Sequence, residues 1–204
     1  MILVFLAMVV TIIVIVIVVK TTKHGSLGHK PWSIEPPEKR AGRKGEITAT
    51  KLIRSVLREG DCLLSNVRVS YGEKITELDN VIINRYGVFI IEVKSYKGRL
   101  RGQEDDYEWK KYKEDGYGNT FVKTVKNPIR QVKRQVYILA KYLQFYGVDV
   151  WVEGYALLIQ GNSPVDSPRV LKSLQDIDRA IHTEGRNQLD AQTIVAVERA
   201  LADD

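Results

Sequence analysis

Glu92, Val93 and Lys94 close an apolar run, Val88-Phe89-Ile90-Ile91, and an upstream acid, Asp79, stands just ahead of a second run, Val81-Ile82-Ile83. Successive side chains of a strand alternate faces, so Glu92 and Lys94 project from one side while Val93 packs on the other. Asn84-Arg85-Tyr86-Gly87 reads as the turn of a hairpin joining the two runs, which returns Asp79 to the side of Glu92. Two carboxylates with no Cys or His beside them form a hard, all-oxygen set suited to Mg²⁺ or Mn²⁺, and a lysine next to such an ion can orient or deprotonate a water. The chemistry this spacing suggests is metal-assisted phosphodiester cleavage. A plain surface ion pair between Glu92 and Lys94 is the competing reading. Against it stands the desolvation cost of acids set in apolar, β-branched strands without a partner or a metal.

The wider series runs Gly45-Glu46, Thr76-Glu77-Leu78-Asp79-Asn80-Val81, Gly87 to Lys94, Tyr96-Lys97-Gly98-Arg99-Leu100, Trp109 and Asn127-Pro128-Ile129-Arg130-Gln131. It resembles the nuclease-related domain, NERD, a branch of the PD-(D/E)xK nucleases, from Gly42 to Ile159. The proline that names that superfamily is replaced by Leu78, as is common in the NERD branch. The resemblance implies a restriction-endonuclease-like α/β fold, a three-layer sandwich with a central mixed β-sheet flanked by helices. It also implies that Asp79 and Glu92 hold Mg²⁺ or Mn²⁺ with the Val93 carbonyl, that Glu46 completes the metal environment directly or through water, and that Gln131 orients groups around it. Lys94 would position the attacking water and offset charge on the phosphate. Glu46 has a second reading as an acid complementing a helix dipole, and Gln131 as an exposed helix polar. Glu77 shares a face with Asp79 and is a further acid of the site or a solvent-facing strand end.

Elements that would position these residues are visible in the periodicity. Ala49, Leu52, Ile53, Val56 and Leu57 recur at helical spacing between Gly45 and Glu59, and Leu63 to Ser70 reads as a strand before the hairpin. Gly98 to Lys126 is polar and irregular, a hairpin or an insertion with Trp109 as packing anchor. Asn127-Pro128 signals a helix start, and Val132, Val136, Leu139, Leu143 and Tyr146 continue that helix to Gly147. A strand over Val150 to Ile159 and a capped helix over Asp190 to Leu201 follow. Strands and helices mixed in this order indicate an α/β sandwich.

Ile2 to Val19 is apolar except for Thr11, close to the roughly 20 residues that span a bilayer core of about 30 Å as a helix. No charged segment precedes it and no A-x-A-like site follows, which favours an anchor over a signal peptide. Lys20, Lys23 and Lys30 lie on its C-terminal side only, so the following domain is expected in the cytoplasm. The expected organisation is a transmembrane helix over 1–19, a basic juxtamembrane linker over 20–44 facing anionic lipid, a NERD domain over 45–160 and a C-terminal helical extension over 161–204 packed on it.

The net charge of +6 is unevenly spread. Lys110 to Lys141 is rich in Lys and Arg with Tyr112, Tyr117 and Phe121 interleaved. Lys126, Arg130, Lys133 and Arg134 are the expected phosphate contacts, with aromatics stacking on unpaired bases. A solvated helix face compensated by Glu104, Asp105, Asp106 and Glu108 explains the same charges. Cys62 is the single cysteine and reads as a small buried hydrophobe. His24, His29 and His182 form no metal cluster by spacing, and no P-loop is present. The leading expectation is a membrane-anchored, Mg²⁺-dependent nuclease acting on nucleic acid, DNA ahead of RNA. The alternative is a non-catalytic scaffold module, tethered to the membrane, that binds nucleic acid or protein.

Overall fold

Alternation along the two hairpin strands dictates the layering. The computed structural model describes residues 37–184 and 188–202. In chain order they form α1 (Pro37–Arg54), β1 (Cys62–Tyr71), β2 (Lys74–Asn84), β3 (Gly87–Lys94), β4 (Arg99–Arg101), β5 (Glu108–Glu114), β6 (Thr120–Lys126), α2 (Pro128–Phe145), β7 (Val152–Leu158), β8 (Val170–Leu171), α3 (Leu174–His182) and α4 (Ala191–Ala202). Along β2 and β3, Val81, Ile83, Val88 and Ile90 face one side, while Ile82, Phe89, Ile91 and Val93 face the other. A sheet that is apolar on both faces must be covered on both. α2 and α4 cover the first face through Ile138, Leu139, Leu143, Val197 and Leu201. α1 and α3 cover the second through Ala49, Ile53, Ile177 and Ile181.

The resulting α/β sandwich is built on a five-stranded mixed sheet of order β1-β2-β3-β7-β8. β1, β2 and β3 are antiparallel, and β7 joins β3, and β8 joins β7, in parallel. A parallel step needs a crossover, and α2 supplies the one between β3 and β7. It starts where the sequence signals it: Asn127 caps the helix by accepting from the Ile129 N–H at 2.9 Å, with Pro128 at the first position.

Gly154 on β7 sets how closely α2 can lie. A Cβ there would stand 2.4 Å from Val132 Cγ1 and 2.6 Å from Val136 Cγ2. Gly154→Ala is therefore expected to overpack this contact and destabilise the fold by about 1–3 kcal/mol. Urea unfolding checks it as a lower midpoint at unchanged slope; an unchanged midpoint would mean that α2 yields without cost.

Several elements depart from expectation. The first helix starts at Pro37 rather than Gly45 and ends at Arg54, because a proline suits a first helical turn. Gly98 to Lys126 takes the hairpin alternative, with Trp109 buried as its anchor as expected, but it is regular rather than irregular and forms a separate antiparallel sheet, β4-β5-β6. α3 was hidden by its length; Ser173 caps it through the Asp176 N–H at 3.1 Å, and its apolar face rests on Ile177 and Ile181.

The transmembrane helix expected over 1–19 lies outside the described residues, and among those no helix is long and apolar enough to cross a membrane. α1 and α2 reach 18 residues but carry Lys and Arg along their lengths. The expected anchor, the bilayer contact and the membrane localisation are accordingly set aside.

Candidate functional site: a closed carboxylate centre beside a basic cleft

The hairpin register that pairs Asn80 with Ile91 carries Asp79 to the flank of Glu92 at the open end of β2 and β3. Asp79 Oδ2 accepts the Val93 N–H at 2.7 Å. Glu92 faces α2 and is buried, only 2% exposed. Its Oε1 accepts from the Lys94 ammonium and from Gln131 Nε2, the latter at 2.6 Å. Its Oε2 accepts from Gln135 Nε2, also at 2.6 Å. Gln135 donates again to the Glu77 carbonyl at 3.1 Å, whereas the Glu77 side chain is exposed. Gln135 was not anticipated from sequence. Its only signal is the four-residue spacing from Gln131, which puts both amides on one helix face.

The structure thus brings Asp79, Glu92, Lys94 and Gln131 together. Glu46 sits in α1, where Gly45 lies against Ser95: a Cβ on Gly45 would approach Ser95 Cβ to 2.8 Å. Burial, and then the neighbouring Glu92 charge, raise the Asp79 carboxyl to about 7. Burial alone would lower Lys94, but the charge and hydrogen bond of Glu92 outweigh it and hold the ammonium above the usual lysine range.

This arrangement corrects the metal expectation. Among the described residues no group of three or more His, Cys, Asp or Glu side chains is placed to hold a metal ion. The Glu92 oxygens that would face Mg²⁺ or Mn²⁺ are occupied by an ammonium and two amides, and one Asp79 oxygen by a backbone N–H. The Val93 side chain packs into the core beside Ile91, so that only its backbone could face the site. The donor set does not fit a resident divalent ion, so metal-dependent phosphodiester hydrolysis and water activation by Lys94 are not carried forward.

Beside this centre opens a cleft of about 640 Å³, lined by Lys94, Lys97, Lys111, Lys113 and Lys123, with Glu46 the single acidic residue of its wall among the described residues. The residues expected to contact phosphate lie differently. Arg130 stacks 3.8 Å over the Tyr107 ring and donates to the Asp105 carbonyl. Lys133 stands 3.4 Å from Asp105 and 3.8 Å from Glu104. Arg134 donates to the Ile75 carbonyl at 3.4 Å, and Lys126 is exposed on β6. Arg130 and Lys133 therefore engage the acidic segment that precedes β5.

Two further groups gain partners that the sequence does not report. His182 Nε2 meets Asp61 at 2.8 Å and Nδ1 meets Asp178 at 2.6 Å, joining α3 to the turn before β1. Cys62 packs against the core, and burial with Glu198 beside it raises the thiol to about 11, which keeps it protonated and unreactive.

Comparison with known proteins places these features in context. The nuclease-related domain, NERD, matches residues 41–159, more than half of the chain. An uncharacterized protein of Bacillus anthracis is 31% identical over 70 residues, covering 33% of this chain and 32% of that protein. The chain thus spans about a third of that relative's length. No solved structure matches.

Proposed function

We propose, from the premise that this chain belongs to the nuclease-related domain (NERD) family, that its domain is a non-catalytic module that binds nucleic acid. The observation that carries this reading is the juxtaposition of a carboxylate centre satisfied from within and a cleft lined by five lysines and one acid. Phosphate contacts with Lys and Arg supply most of non-specific nucleic-acid affinity. A pair of open carboxylates would repel phosphate. Here Lys94 neutralises Glu92, and Asp79 with a carboxyl near 7 carries only part of a charge at neutral pH, so the centre presents little negative field to the cleft.

The test is a fluorescence-anisotropy titration of labelled oligonucleotides with the full chain in EDTA. Binding is expected at about 50 mM salt and should fall on the order of 50-fold by about 200 mM, the loss that four phosphate contacts imply. Absence of binding at low salt, or affinity indifferent to salt, overturns the reading.

A further inference from the structure

We propose that the cleft takes single-stranded nucleic acid, with unpaired bases stacked on Phe121 and the phosphates tracked by the lysines of β5 and β6; this rests on the binding reading above. The β5–β6 register sets the pattern. Trp109 pairs with Val125, Lys111 with Lys123 and Lys113 with Phe121, and because alternate residues share a face these six side chains form one surface. At its inner end Trp109 is fully buried. At its outer end Phe121 is 58% exposed, directly opposite Lys113.

Two features of this surface suit an anionic, aromatic ligand. Lys111 and Lys123 stand directly opposite one another, which concentrates positive charge at this point of the sheet, and Lys111 also lies 5.9 Å from the Tyr96 ring. Phe121 keeps more than half of its surface open to water beside these lysines. Stacking of bases on aromatics is tolerant of sequence, and in a duplex the bases are already stacked on one another. The cleft volume of about 640 Å³ lies within the about 300–1,000 Å³ of sites that enclose one small ligand. A volume of this class suits a small ligand such as an unpaired nucleotide. An acidic polypeptide would use the lysines but leave Phe121 idle, so the ring discriminates between these occupants.

The test uses the full chain, oligo-dT and oligo-rU of about 15 nucleotides, near the upper end of known strand-binding site sizes, the matching duplexes and polyglutamate as competitor. At least one single strand is expected to bind roughly tenfold or more tighter than its duplex. Phe121→Leu should weaken single-strand binding by roughly 5-fold or more, the low end of one lost stacking contact, and leave duplex binding unchanged. Phe121→Trp, which retains an aromatic face, should keep single-strand affinity, and it decides the matter if the leucine variant proves unfolded by circular dichroism. Lys111→Gln with Lys123→Gln should reduce the salt slope by about 1.4, two contacts at about 0.7 each. Equal affinity for strand and duplex with no effect at Phe121, loss of single-strand binding in a folded Phe121→Trp, or displacement by polyglutamate as effective as by nucleic acid, overturns the single-strand assignment while leaving the binding reading in place. Binding of no oligonucleotide at all overturns both.

Discussion

Replacing Lys94 by alanine is expected to destabilise the domain by about 3–5 kcal/mol, the penalty for removing one member of a buried ion pair. Glu92 is almost wholly buried, and its Oε1 depends on the Lys94 ammonium for its only positive partner among the described contacts. Gln131 and Gln135 would still donate to the carboxylate, but neutral amides do not balance its charge. The second change Glu92→Gln removes the stranded charge, so the double variant should recover most of the loss. Denaturant midpoints of the four proteins in this cycle check both expectations. A Lys94→Ala protein as stable as the parent would show that the pair is not structural and would reopen a chemical role for the lysine.

The effect expected at Asp79 has the opposite sign. Its carboxyl titrates near 7 in the folded protein, against about 3.9 for an aspartate in an unfolded chain. The folded state therefore holds the proton more tightly, and stability falls as pH rises from about 4 to about 7, beyond which the full penalty is present. Its size is on the order of 2–4 kcal/mol from the difference of the two values. Asn at this position keeps an acceptor for the Val93 N–H and carries no charge. Asp79→Asn should thus be more stable than the parent at pH 8 by that order and nearly equal to it at pH 4, in melts recorded across the range. A variant that is less stable at pH 8 would show that the charged form of Asp79 is favoured in the fold.

Much of the sheet was legible because two periodicities agree with a turn. The β-branched runs of β2 and β3, joined through Asn84 and Gly87, admit few registers, and a one-residue slip would turn Val81 and Ile83 away from α2. The capped start of α2 at Asn127-Pro128 was equally plain. The β5–β6 hairpin was legible only as one of two alternatives, since Glu108–Glu114 and Thr120–Lys126 carry charge on both faces and lean on only one deeply buried side chain, Trp109. At the site, residue types specify which chemistry a group could take part in but not which partners already satisfy it. Asp79, Glu92 and Lys94 read alike in sequence whether the carboxylates face an ion or close on donors, and the deciding residue, Gln135, lies on a helix where glutamine is commonplace. The His182 contact with Asp61 joins positions far apart in the chain, and no local pattern reports such a pairing. The apolar segment at residues 2–19 suggests a span by its length and composition, but it lies outside the described residues, and among those no helix is long and apolar enough to cross a membrane.

The most direct test of a closed, non-catalytic centre beside a basic cleft is a denaturing-gel assay of end-labelled single- and double-stranded DNA and RNA incubated with the full chain. Each substrate is run in EDTA, Mg²⁺ and Mn²⁺, with bound fraction measured in parallel. The expected result is strands that remain intact under all three conditions and a bound fraction that does not require the metal. Metal-dependent cleavage that disappears in Glu92→Gln would contradict the account, because it would require the Glu92 carboxylate to release Lys94, Gln131 and Gln135 and turn to an ion.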